Sequence, residues 1–144
     1  VCMFRKILVA IDGSEPANRA LEAAIEEAGV WHADVHVIYV VESGLFSSLP
    51  MDNTLEIIYS VLQKEGEEIL ESARVKADAA NVPLTTYLRQ GHAGSQIVSL
   101  AEDLGVDLIV LGSHGKSGVD RLFLGSVTDY VVRNSPITTT VVRS

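Results

Sequence analysis

The stretch from Asp107 to Tyr130, DLIVLGSHGKSGVDRLFLGSVTDY, constrains the fold more than any other part of the chain. Leu108 to Leu111 is a short unbroken apolar run bounded by Asp107 and Gly112, the pattern of a strand buried on both faces of a parallel sheet. The run breaks at glycine, a loop containing Gly115 and Gly118 follows, and Gly125-Ser126 leads into Val127, Val131 and Val132 at helical spacing. Glycines leaving a strand bare their backbone N–H groups, and a helix start adds unpaired N–H groups and the positive end of a dipole. The spacing G-x2-G-x9-G-S therefore describes an anion cradle, and phosphate is its natural guest. Gly112 and Gly115 would donate loop amides; Gly125, Ser126 and Val127 would supply the helix start, with the Ser126 hydroxyl as an extra donor.

The other segments alternate between strand and helix signals. Lys6 to Ile11 is a β-branched-rich run ended by Asp12-Gly13-Ser14, a strand and a tight turn. Ser14 as N-cap and Pro16 in the first turn start a helix whose apolar positions run from Ala17 to Ala28, with its stop expected at Gly29. Asp34 to Val41 reads as a second strand, Glu42 to Pro50 as a loop, and about Asn53 to Ala80 as a long helix with a break expected near Gly66. Pro83 to Arg89 reads as a third strand and Ser95 to Leu104 as a helix closed by Gly105. After the central stretch, a helix to about Asn134 and a strand from Ile137 to Val142 complete the pattern. Strands alternating with helices require a parallel sheet covered on both faces with right-handed crossovers, so the fold class is α/β. Residues 1–144 read as one domain, with no internal repeat or linker.

Composition narrows the function. Charged residues make up 21% and hydrophobic residues 47% of the 144, a globular balance. A formal charge of −8 leaves no basic footprint for nucleic acid or an anionic membrane surface, so an anionic ligand needs a local site. Cys2 is the only cysteine; no internal disulfide can form, and a cytoplasmic location is expected. The chain shows no apolar run near membrane-spanning length and no secretory leader pattern.

Several chemistries are disfavoured by spacing. GSHGKS contains G-K-S but has two residues between its glycines where a Walker A loop has four; G-x-G-x-x-G and G-x-S-x-G are absent. Lys116 and Arg121 are the only positive charges between Gly112 and Gly125 and could neutralise phosphates; His114 within the loop is a polar turn residue that could touch one. His32 and His36 straddle a helix end and a strand, so the four histidines form no metal set. No residue is positioned by motif to activate water, and the chain shows a binding site more clearly than a reaction.

The G-x2-G-x9-G-S spacing, together with KILVAIDGS, VHVIYVVES, GHAGSQIVSLAEDLGVDLIVLGSHG and a final strand ending VVR, resembles the nucleotide-binding branch of the universal stress proteins. That resemblance implies a flavodoxin-like sheet of order 3-2-1-4-5, whose reversal between the first and fourth strands brings the Asp12-Gly13 and Gly112 turns together. It implies adenine against Ala10, Ile11, Asp12 and Val40, with Asp12 reading the ribose or purine edge; Leu111 would line the same pocket by position. The implied ligand is ATP, or AMP or ADP, with Mg²⁺ or Mn²⁺ carried on the phosphates. The implied function is a nucleotide-dependent stress-response regulator or sensor with little or slow hydrolysis; an ATP-cleaving or adenylate-transferring enzyme is the alternative. Family members with one domain commonly pair through the last strand, which here means a homodimer along Ile137 to Val142. The three threonines in that segment depart from the family's apolar ending and make the edge more polar.

Overall fold

The computed structural model describes residues 3–42, 53–114 and 124–143. Five strands, β1 (Lys6–Ala10), β2 (Asp34–Glu42), β3 (Leu84–Gly91), β4 (Leu108–Gly112) and β5 (Thr139–Val142), form one parallel sheet in the order β3-β2-β1-β4-β5. Four helices connect them: α1 (Glu15–Trp31), α2 (Asn53–Ala79), α3 (Ala93–Leu104) and α4 (Ser126–Asn134). Two crossovers move outward from β1 to β3 and two return to β5. With a single crossover hand, α1 and α2 must cover one face and α3 and α4 the other.

The alternation of side chains along the strands divides the core accordingly. Ile7, Val9, Val35, Val37, Tyr39, Leu108 and Val110 pack under α1 and α2 with Ala20, Leu21, Ala24, Leu70, Ala73 and Ala77. Leu8, Ile38, Ile109 and Leu111 pack under α3 and α4 with Ile97, Leu100, Ala101 and Val131. At the strands' amino ends the Asp107 carboxylate accepts from the N–H groups of Arg5 and Lys6, and the Lys6 ammonium donates to the Leu104 carbonyl.

Two helix boundaries differ from the sequence reading. The first helix runs through Gly29 and ends at His32, which takes the left-handed conformation (φ 56°) and returns its N–H to the Ala28 carbonyl. Termination there lets buried Ala28 and Ala33 close the core beneath the turn. The second helix is unbroken at Gly66: a Cβ at that position would lie 2.6 Å from the Tyr39 ring and 2.9 Å from Leu88, so the glycine permits close approach to the sheet. Elsewhere the ends shift by a few residues. β3 extends to Gly91, α3 begins at Ala93 with His92 as its cap, and β5 begins at Thr139.

Candidate functional site

The carboxyl ends of β1, β2 and β4 meet on the face that carries α3 and α4. Ala10 is in register with Ile38, and Val9 with Val110, which sets Leu111 beside Ala10. Two places further along, Val40 is in register with Arg89, and Asp12 and Ser113 continue the same row beyond the ends of β1 and β4. Ala10 and Val40 are half-buried while Leu111 is fully covered, so the floor is apolar and opens upward between two turns. This is the reversal point of the sheet, where adjacent connections leave in opposite directions and a crevice must form.

Each turn is held by its own local bonds. The Asp12 carboxylate accepts the Ser14 N–H at 2.9 Å, and the Ser14 hydroxyl accepts the Ala17 N–H at 3.3 Å as the cap of α1. On the other side Ser113, 2% exposed, is tied three ways. Its N–H donates to the Val142 carbonyl (2.9 Å), its C=O accepts the Gly125 N–H (2.7 Å), and its Oγ lies 3.0 Å from His114 Nδ1. The buried Thr128 hydroxyl donates to the Gly112 carbonyl at 2.7 Å. The start of α4 is thus bolted to the end of β4.

Gly125 caps α4 without a side-chain hydrogen bond, and its carbonyl accepts the Asp129 N–H at 2.9 Å. The amides of Ser126, Val127 and Thr128 belong to the first turn and have no acceptor within the helix. With the dipole they make the positive pole of this wall. The opposite wall is the start of α3, whose Ala93 N–H is taken by the Glu42 carboxylate and whose Ser95 N–H is taken by His92 Nδ1 at 3.1 Å. The His92 and Tyr130 rings meet edge to face at 4.9 Å, and a Cβ on Gly94 would lie 2.5 Å from the Tyr130 ring. These close approaches clamp α3 to α4.

The universal stress protein family model matches residues 3–143. Universal stress protein MJ0531 of Methanocaldococcus jannaschii is 36% identical over 141 residues, covering 98% of this chain and 83% of that protein. The chain belongs to the universal stress protein family. Among solved structures, hypothetical protein MJ0577, a subject of structure-based functional assignment, superposes with a TM-score of 0.88 at 28% identity, covering 99% of this chain and 97% of that one. A universal stress protein solved in complex with cAMP superposes with a TM-score of 0.68 at 25% identity, covering 97% of each chain. The sheet order 3-2-1-4-5 and the α/β class expected from sequence are those of this universal stress protein.

Most of the residues singled out from sequence lie around the crevice, with differences in what each can offer. Ala10, Val40, Leu111 and Val127 share the α3/α4 face. The Ile11 side chain is buried on the α1/α2 face, so Ile11 can reach the crevice only through its main chain. Asp12 caps its own turn with one oxygen. Gly112 abuts α1, His114 is half-buried and held by Ser113, and Ser126 is exposed at the helix start. The Gly125 N–H is spent on Ser113, which leaves the amides of Ser126 and Val127 as the outward donors. Gly115, Lys116 and Arg121 lie outside the described residues, as does most of the loop they belong to.

Sequence reasoning passed over Ser113, Thr128 and Glu42. Thr128 had a readable signal, being a polar residue at the inward position one turn before Val131. Of the histidines, His32 caps α1. His36 sits at the amino end of the same sheet face with Nδ1 3.0 Å from the Tyr87 hydroxyl, and burial holds its pKa below the usual histidine value against the opposing pull of Asp34.

Proposed function

We propose that this universal stress protein binds an adenine nucleotide, ATP or its AMP and ADP relatives, and acts as a nucleotide-dependent stress-response regulator or sensor with little or slow hydrolysis. The observation that carries the reading is the convergence, on one sheet face, of an apolar floor with the free amides of the α4 start. Adenine would lie against Ala10 and Val40 with Asp12 at the ribose or purine edge. The phosphates would lie toward Gly112, Ser126 and Val127, and His114, Gly115, Lys116 and Arg121 would complete the phosphate side. Supporting it is the likeness to a relative solved with cAMP. A cradle of four or five charge-assisted bonds at about 1.5–3 kcal/mol each is set against an association cost of roughly 4–15 kcal/mol, so base and ribose must contribute to affinity. Mg²⁺ or Mn²⁺ would ride on the phosphates with water; no group of three His, Cys, Asp or Glu able to hold an ion occurs among the described residues.

Titration with ATP, ADP and AMP, followed by thermal unfolding and calorimetry, is expected to give saturable stabilisation of about 2.7 kcal/mol at a hundred times Kd. Trp31 is a poor reporter because its ring packs on Phe4 at the opposite end of the sheet. Ser126→Asp separates binding from folding. An acidic residue in the first turn favours the α4 dipole by about 0.3–1 kcal/mol, so stability is kept or raised, while the added carboxylate opposes a phosphate and should weaken ATP at least about ten-fold. No stabilisation of the wild-type protein at millimolar nucleotide, or unchanged affinity in Ser126→Asp, contradicts the reading.

The protein is read as one cytoplasmic domain that pairs with itself along the β5 edge, within Ile137 to Val142, and binds neither nucleic acid nor membrane. No helix among the described residues is long and apolar enough to cross a bilayer. Ile109 N–H donates to the Thr138 carbonyl and Ser113 N–H to that of Val142. The intervening polar groups of Thr139 and Val141 therefore point to the free edge. Light scattering at low micromolar concentration should give a mass of two chains, and Val141→Pro, which deletes an edge-facing N–H and no ladder bond, should give one. A wild-type mass of one chain refutes the pairing.

A further inference from the structure

The amino-terminal half of α2 carries an apolar surface that the sheet does not use. The helix has 27 residues, about 40 Å of rise, whereas the nine residues of β2 span about 30 Å. From Thr54 to Glu65 no residue is buried; burial begins at Gly66 and continues at Leu70, Ala73 and Ala77. Yet between Leu55 and Leu62 only Glu56 and Ser60 are polar. Tyr59 and Leu62 lean on the α1/α2 core, while Ile57 and Val61, on the far side, are 62% and 61% exposed. A helix apolar around most of its circumference is one that is covered in its working state.

The outward stripe is Glu56, Ile57, Ser60, Val61 and Lys64, which line a shallow hollow of about 570 Å³. Its charges and apolar residues are arranged symmetrically. Glu56, Ser60 and Lys64 form one row at i, i+4 and i+8, with an acid and a base equidistant from a small residue; Ile57 and Val61 form the adjoining row. A two-fold axis beside Ser60, perpendicular to the helix, turns each row onto itself with its ends exchanged. Glu56 then meets Lys64 of a second copy, and Ile57 lies beside Val61 of that copy, staggered along the axis by about 3 Å.

We propose that this face of α2 is an antiparallel, isologous contact with a second copy of the same chain, centred on Ser60. Charge complementarity favours a second copy, since an isologous contact brings residue i to j and j to i, and this stripe is complementary to its own inverse. The contact depends neither on nucleotide nor on the β5 edge. A helix pair this short falls below the area of a standard interface, so the association is weak and concentration-dependent.

Ser60→Cys in a Cys2→Ser background tests it directly. Helices packed 8–10 Å apart bring facing Cα atoms at the axis within disulfide reach. A Ser72→Cys control on the same helix is placed about 36 Å from its counterpart. Under mild oxidation at roughly 10–500 μM protein, Ser60→Cys is expected to form covalent dimer about ten-fold faster than Ser72→Cys. Lys64→Glu should slow it about ten-fold by opposing two acids, and adding Glu56→Lys should restore it, because like charges exclude a pairing that exchanged charges rebuild. These sites are exposed, so melting curves should stay close to that of the parent. A Val141→Pro background keeps the readout separate from pairing at β5. Equal rates for Ser60→Cys and Ser72→Cys would overturn the contact and leave the stripe to a partner of different sequence. Slowing by Lys64→Glu without rescue by Glu56→Lys would overturn the antiparallel register.

Discussion

Gly112→Ala is expected to lower stability by about 3 kcal/mol, the upper part of the range for overpacking, and the melting temperature by roughly 10 °C. The added Cβ would lie 2.8 Å from the carbonyl carbon of Pro16 and 2.9 Å from its oxygen. These are main-chain atoms in the first turn of α1, which the Ser14 cap and the Asp12 turn hold in place, so no side-chain rotation relieves the clash. Gly29→Ala is the matching control. A Cβ there meets nothing within 4 Å, and removing a glycine from a helix interior should raise stability by about 0.5–1 kcal/mol. Thermal unfolding of the two variants should move in opposite directions. An unchanged Gly112→Ala midpoint would mean that the approach of β4 to α1 is looser than the structure has it.

Ile109→Ala is expected to cost about 4 kcal/mol, within the 2–5 kcal/mol seen for such truncations. Ile109 is fully buried on a strand flanked by β1 and β5 and packs in the cluster with Ile97, Leu100 and Val131. These neighbours sit on α3 and α4, packed regular elements that resist collapse into the void. Against a total of roughly 5–15 kcal/mol for a typical fold, that is a large fraction. Urea unfolding should show a lower midpoint at unchanged slope; a loss under 1 kcal/mol would imply a core that readily repacks.

The strands were legible because a buried parallel sheet writes itself as short apolar runs ended by glycine or a turn, as at Leu108 to Gly112 and Lys6 to Gly13; their order is not written in that pattern and followed from the resemblance to the universal stress proteins. What escaped depends on partners distant in sequence. Gly66 looks like a helix breaker in isolation and becomes a packing residue only once the Tyr39 ring is known to lie against it. Gly29 looks like a stop, yet the chain turns at His32 because the core closes at Ala28 and Ala33. His92 caps α3 through a ring nitrogen, outside the usual set of capping oxygens. At the crevice, spacing located the two turns and the helix start. It could not reveal that Gly125 N–H is consumed by Ser113, or that Ile11 turns its side chain to the other face, since both follow from strand register and from which face each helix covers.

The ties at Ser113 and Thr128 join β4, β5 and α4 through bonds internal to the protein. The mutual arrangement of those three elements is therefore held without any contribution from a guest. A phosphate bound at the α4 start as proposed would find that wall already built, and the entropy of arranging it would have been lost when the chain folded rather than at the moment of encounter.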